Sequence, residues 1–265
     1  MPVDQLRNAL ADALRKWGFE VKEIEETEVF KTPDLLVKNG SDEYLIEVKS
    51  KRDNPDRVAA ERQRFTAGEI VERSDPLGVR NTIAGVIEEA AEQLEAFEPG
   101  TERIRLLWFQ AVGDDAEVQE RQFRATVFGT TNIIDIDDDG PMLPCYYFSE
   151  SAFFRFKNSL DGAVVASGDQ AQLLVNTYSL RVDRLRESAL AERFGTAVLD
   201  PVRLEEAGEA LVADCTVDRR DSGAVLSYLQ TKYCREKLMN MEMGKTTVGM
   251  LVPQNDDPCK PGGQG

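Results

Sequence analysis

Between Pro33 and Lys49 the chain reads Pro-Asp-Leu-Leu-Val-Lys-Asn-Gly-Ser-Asp-Glu-Tyr-Leu-Ile-Glu-Val-Lys. Two runs of Val, Ile, Leu and Tyr flank an Asn39-Gly40 pair, a strong short-range signal for a β-hairpin. Because side chains alternate faces along a strand, Leu35, Val37, Tyr44, Ile46 and Val48 are expected on one face, toward a core. Asp34, Leu36, Leu45, Glu47 and Lys49 share the other. A loop at Asn39-Gly40-Ser41-Asp42 pairs Lys38 with Glu43 and sets Asp34 opposite Glu47. A tighter turn at Asn39-Gly40 sets Asp34 opposite Leu45, still on that face. In either register two carboxylates and one ammonium converge.

Two carboxylates held that close repel unless a cation joins them. Hard oxygen ligands with room for water suit Mg²⁺ or Mn²⁺. Such an ion acidifies a bound water and stabilises charge on a phosphate, with Lys49 beside the attacking water. The chain contains no histidine, which removes Ser-His-Asp and Cys-His catalysis and histidine-ligated zinc hydrolysis. Carboxylate–metal chemistry is left as the common hydrolytic design.

The pattern Pro33-Asp34…Glu47-Val48-Lys49 resembles the PD-(D/E)xK nuclease superfamily, with its restriction-endonuclease-like fold. The resemblance implies that Asp34 and Glu47 bind metal, that the Val48 carbonyl is a further ligand, and that Lys49 is the catalytic lysine. It implies a Mg²⁺- or Mn²⁺-dependent nuclease, an endonuclease rather than an exonuclease. DNA would be the substrate, in restriction, phage defence or repair. Relatives often carry a helix Glu facing the metal; the first helix here offers Asp4 and Asp12, of which Asp12 is the better placed. Others carry a Gln or Lys on the helix after the lysine strand; Gln93 is the candidate, an exposed helix glutamine being the ordinary alternative.

The surrounding pattern fits the superfamily's order of helix, three strands, helix, strand. Apolar spacing predicts a helix over 3–17, stopped at Gly18, an edge strand within 20–30, a second helix over 81–97 and a central strand at Ile104–Val112. The expected fold is α/β, a restriction-endonuclease-like mixed sheet flanked by helices over residues 1–112, with an added α+β half over 113–252. That half is either a second domain or an elaboration of the same sheet. Within it, Ala116–Arg124 reads as a short helix. Runs at Asn132–Ile136, Cys145–Phe148, Phe153–Phe156, Ala163–Ala166 and Leu173–Val175 read as strands with one or two helical pieces. Helical spacing returns at Leu185–Phe194, Leu204–Leu211 and Val225–Leu238, before a strand at Thr246–Val252. The Pro- and Gly-rich stretch 253–265 reads as a disordered tail.

Net charge is −16, unhelpful for phosphate contacts. The distribution is uneven: residues 49–80 hold eight basic and six acidic side chains, whereas 81–150 hold four and fifteen. The segment 50–80, read as a long loop, therefore offers Lys51, Arg52, Arg57, Arg62, Arg64 and Arg73 as a backbone clamp, a solvated charged loop being the alternative. The acidic remainder would suit a homo-oligomer or a basic protein partner. No apolar run is long enough for a membrane span, no signal peptide is evident, and four widely spaced cysteines form no CxxC pair. A reducing cytoplasm is expected. Asp135-Asp137-Asp139-Gly140 opens like a calcium loop but reaches Tyr146 where a Glu is required. Gly244-Lys245-Thr246 lacks the first glycine of a phosphate loop. Two other readings stand beside the nuclease: a nuclease-fold binding or assembly module with a weakened site, and an acidic mimic that binds basic proteins.

Overall fold

The computed structural model describes residues 3–25, 32–100, 102–137 and 140–249. Helix α1 (Val3–Lys16) buries Leu6, Leu10, Ala11 and Leu14, one stripe at helical spacing. It ends where Gly18 takes φ +90, with Gly18 N–H donating to Arg15 O and Phe19 N–H to Leu14 O, the pair of hydrogen bonds that closes a helix on glycine. Strands β1 (Glu20–Glu23), β2 (Leu35–Asn39) and β3 (Asp42–Arg52) follow. Next come α2 (Pro55–Thr66), β4 (Val71–Pro76), α3 (Asn81–Phe97), β5 (Ile104–Val112) and α4 (Ala116–Phe128). The chain continues through β6 (Thr131–Asp135), β7 (Leu143–Tyr146), α5 (Ala152–Arg155), β8 (Gly162–Ser167), β9 (Gln170–Val175), α6 (Val182–Arg186) and α7 (Ala189–Phe194). It closes with β10 (Val198–Leu199), α8 (Pro201–Glu206), β11 (Leu211–Val212), α9 (Ser222–Tyr233), β12 (Leu238–Met241) and β13 (Gly244–Gly249).

Among the described residues, seven strands form one mixed sheet in the order β1-β2-β3-β5-β8-β9-β10. The β1-β2-β3 pairs are antiparallel, and β3-β5 and β5-β8 are parallel. Both faces are covered. Leu35, Val37, Tyr44, Ile46, Val48, Leu106 and Trp108 pack with α1, α6 and α7. Leu45, Leu107, Phe109, Ala163 and Val165 pack with α3 and α4. This is an α/β architecture with a large mixed sheet between helices; with α2 and β4 set aside, its first elements follow the expected order of helix, three strands, helix, strand. Strand β5 is apolar along nearly its whole length because neither face meets water. The site face of the hairpin, polar by sequence, is thus a second core face near its middle. The expected boundary at residue 112 falls at the end of β5, and β8, β9 and β10 beyond it lie in the same sheet as β3. A second sheet, β11-β7-β6-β12, packs with α9 through Ile133, Cys145, Val225, Leu229 and Leu238.

Several expectations are corrected. Residues 50–80 are no loop: β3 runs to Arg52, α2 follows, and β4 pairs with β13, 168 residues downstream by the Gly244↔Pro76 register. The signal for α2 was local, since Asn54 Oδ1 accepts from Asp56 N (3.0 Å) and Arg57 N (3.2 Å) and Pro55 occupies the first turn. Helix α4 continues to Phe128, past Arg124. The helical spacing over Leu204–Leu211 and Val225–Leu238 is broken, because α8 stops at Glu206, α9 stops at Tyr233, and Leu211 and Leu238 begin strands. Val29, Phe30, residues 250–252 and the expected tail 253–265 lie outside the described residues.

A buried carboxylate ties the sheet to the helices beyond it. Asp161 is fully buried and accepts from Arg105 N (2.7 Å), Arg181 Nε (2.8 Å) and Ser179 Oγ. Asp161→Ala leaves the buried Arg181 unpaired and is expected to cost about 3–5 kcal/mol, read as a lowered denaturation midpoint. A loss under ~1 kcal/mol would refute the tie.

Candidate metal and nucleic-acid site

The hairpin register sets which residues face one another. Asn39 pairs with Asp42 and Leu35 with Ile46, leaving Gly40-Ser41 as a two-residue turn in which Gly40 takes φ +58. Asp34, one residue before β2, therefore stands opposite Glu47, the first of the two expected registers. Its Oδ2 accepts from Val48 N at 2.7 Å, which fixes the carboxylate across the strand gap. Burial pushes the Asp34 carboxyl above its ordinary range, against the opposing pull of the Val48 N–H and the Arg7 guanidinium.

Glu47 is 2% exposed. Burial first, and repulsion from Asp34 second, push its carboxyl up to about 7. Its Oε1 lies 2.9 Å from Lys49 Nζ. Its Oε2 is buried without a hydrogen-bond partner, a costly state for a carboxylate oxygen. Lys49 also donates to Gln93 Oε1 (3.3 Å) and lies 3.6 Å from Glu89 Oε1. Gln93 Nε2 donates to Thr32 O at 2.9 Å, so α3 binds both Lys49 and the chain leading into Pro33.

The structure thus brings together Asp34, Glu47, Val48, Lys49 and Gln93. It does not bring Asp12, which is exposed and pairs with Arg15 at 3.0 Å; five residues on from Arg7, it points about 140° away round the helix axis. The α1 side chain that faces Asp34 is Arg7, whose Nη1 lies 3.8 Å from Asp34 Oδ1. Sequence reading missed both Arg7 and Glu89. Glu89 had a signal, its four-residue spacing from Gln93 on one helical face; Arg7 had none beyond its place on a helix expected to supply an acid.

The basic candidates divide. Arg57 pairs with Asp115 and, at 3.8 Å, with Glu61. Arg73 pairs with Asp75 (2.6 Å), Glu61 (3.4 Å) and Asp115. Arg64 pairs with Glu69 at 2.8 Å. These three hold α2 and β4 in place, which corrects the expectation of a free clamp. Arg52 and Arg62 are exposed, form no ion pair among the described residues, and line one hollow of about 400 Å³ with Val58 and Val112. Lys51, two residues beyond Lys49 on the same face, lies 3.5 Å from Thr82 Oγ1. Burial and the neighbouring Arg80 depress its pKa. The two set-aside motifs are ordinary structure: Asp135 and Asp137 pair with Arg235 and Lys237, and Lys245 pairs with Glu117.

Among the described residues no group of three or more acids, cysteines or histidines is arranged to hold an ion. The fit to a divalent cation rests on two facing carboxylates, one with an orphaned oxygen. Mg²⁺ is commonly held by one or two carboxylates with water completing its shell, and this donor set matches that.

No family model and no curated protein matches the chain. Among solved structures, a Holliday junction resolvase, Hjc of the archaeal hyperthermophile Archaeoglobus fulgidus, is similar at 19% identity with a TM-score of 0.25. The match covers 40% of this chain and 66% of that one, just under two thirds of its length.

The raised Glu47 pKa has a sign that can be checked. In an unfolded chain the group releases its proton near 4.5; in the native state it keeps it to about 7. Between those values the native state binds more protons, so stability falls as pH rises. Glu47→Gln fixes the neutral form. In chelator it is expected to stabilise the protein by about 2–3 kcal/mol at pH 8, with little change at pH 4. Equal thermal shifts at both pH values would show that the carboxyl is not held protonated.

Proposed function

We propose that this chain is a divalent-metal-dependent nuclease that hydrolyses phosphodiester bonds, DNA before RNA. The observation that carries the reading is the convergence of Asp34, Glu47 and Lys49 at one buried point, with a Glu47 oxygen left unpartnered. Asp34 and Glu47, with the Val48 carbonyl, would hold Mg²⁺ or Mn²⁺, which when bound would polarise the phosphate and acidify a water. Val48 N–H and Arg7 keep Asp34 oriented. Lys49, steered by Gln93 and Glu89, stands where an attacking water and the developing negative charge would lie. Water adds to phosphorus, the ester oxygen leaves, and the proton released by the water passes to solvent or to the leaving oxygen. In this reading residues 1–112 form the catalytic core and 113–252 an extension of it. Endonucleolytic cutting, a role in restriction, phage defence or repair, and a cytoplasmic setting rest on the family resemblance and composition alone.

Single changes Asp34→Ala, Glu47→Ala and Lys49→Ala are each expected to lower cleavage of plasmid or single-stranded DNA in Mg²⁺ or Mn²⁺ by roughly 10²–10³-fold. The reading is falsified if folded wild-type protein cuts nothing in a panel of duplex DNA, single-stranded DNA and RNA, or if cutting survives all three changes.

One observation favours a second reading, a nuclease-fold binding or assembly module. Lys49 and Arg7 already neutralise the two carboxylates that a metal would join. Mn²⁺ calorimetry separates the two: the nuclease reading expects binding that Asp34→Ala abolishes, and absence of binding supports the module.

For nucleic acid, the unpaired cations Arg52 and Arg62, with Lys51 nearer the site, are the contacts we assign. Charge reversal at Arg52 or Arg62 should weaken DNA binding without loss of stability. Each phosphate contact removed should reduce the salt slope by about 1, read by anisotropy across salt concentrations. An unchanged slope would move the interface elsewhere. Arg57→Ala should instead lower stability.

A further inference from the structure

Arg7 meets the site through Asp34 and shares its charge with two further acids. Its guanidinium lies 3.6 Å from Asp4, 3.9 Å from Glu23 and 3.8 Å from Asp34, standing back from three carboxylates without closing on any. Its side chain is about one-fifth exposed, and Nε is buried with no hydrogen-bond partner. It lines a cavity of about 310 Å³ with Asp4, Glu23, Ile24 and Glu25. Asp34 forms the link from this cavity to the Glu47–Lys49 pair, since one oxygen faces Arg7 and the other accepts from Val48 N–H. Asp34 thus divides its two oxygens between a positive centre, Arg7, and the strand that carries Glu47, an arrangement in which a guanidinium could stand for one of the two cations that serve a phosphoryl displacement.

We propose that Arg7 takes the place of that second cation: the site accepts one divalent ion, between Asp34 and Glu47, and Arg7 supplies the other positive charge to the phosphate. The inference rests on the nuclease reading and adds a stoichiometry and a residue to it. A guanidinium is always charged and offers paired donors to phosphate oxygens. It would do this without an ion to recruit, and it repels a second ion from the acids around it.

The test is calorimetric titration of the full chain with Mn²⁺, beside cleavage assays. Wild type and Arg7→Lys are expected to bind one ion per chain. Removing the charge in Arg7→Ala opens the acidic cavity. It should then bind a second ion, or bind the first roughly 5–30-fold more tightly, while cleaving more slowly than wild type at equal occupancy. An arginine that only orients Asp34 would behave differently: its loss would loosen that ligand and weaken the first ion, and would open no second site. Two ions bound by wild type, or unchanged or weakened binding by Arg7→Ala, overturns the proposal. Should Arg7→Ala not fold, Arg7→Gln is titrated in its place under the same criteria. If wild type binds no Mn²⁺ and cuts nothing, the nuclease reading itself fails, and this inference fails with it; binding without the Arg7 effect overturns the inference alone.

Discussion

The rest of the site depends on the burial of one carboxylate. Glu47 sits on a strand that is covered on both faces, by α1, α6 and α7 on one side and by α3 and α4 on the other. In that setting its charge is unfavourable, and each neighbour can be understood as a response. Lys49 lies against one oxygen, α3 steers Lys49 through Gln93 and Glu89, and Asp34 is held across the strands by a backbone N–H. Low local polarity strengthens each of these contacts and makes the orphaned Glu47 oxygen costly. A cation between the carboxylates would relieve both the repulsion and the missing contact.

The insertion after β3 shows how a charged segment can be structural. Arg57 and Arg73 converge on Asp115, at the start of α4, and Arg73 also reaches Asp75 and Glu61. These pairs fasten α2 and β4 to the strand end beyond the site. They leave Arg52 and Arg62 as cations with no ion pair among the described residues of that segment. In a chain of net charge −16, such local placement counts for more than the total in deciding where a polyanion could rest.

Much of the core was legible because its signals are local. The Leu6-Leu10-Leu14 stripe with Gly18 gave α1, the Asn39-Gly40 pair gave the hairpin, and the apolar run at Ile104–Val112 gave the buried strand. Asp34, Glu47 and Lys49 followed from the alternation of faces. Errors arose where the partner is distant in sequence. Strand β4 exists because it pairs with β13, and nothing near Val71 announces that. Leu211 and Leu238 continue a helical spacing, yet the second sheet claims both as strand residues. Asp12 and Arg7 share a helix, and only the packing of α1 on the sheet decides that Arg7 meets Asp34.

By itself the sequence determined which residues can converge: strand periodicity is two, so Asp34, Glu47 and Lys49 share a face in any allowed register. The lack of histidine also narrowed the chemistry they could perform. Tertiary structure decided their electrostatic state. A carboxyl raised to about 7, a lysine held by α3, and an arginine where an acid was expected all come from burial and helix phase. Those depend on which elements cover the sheet, a property of distant segments that no local pattern encodes.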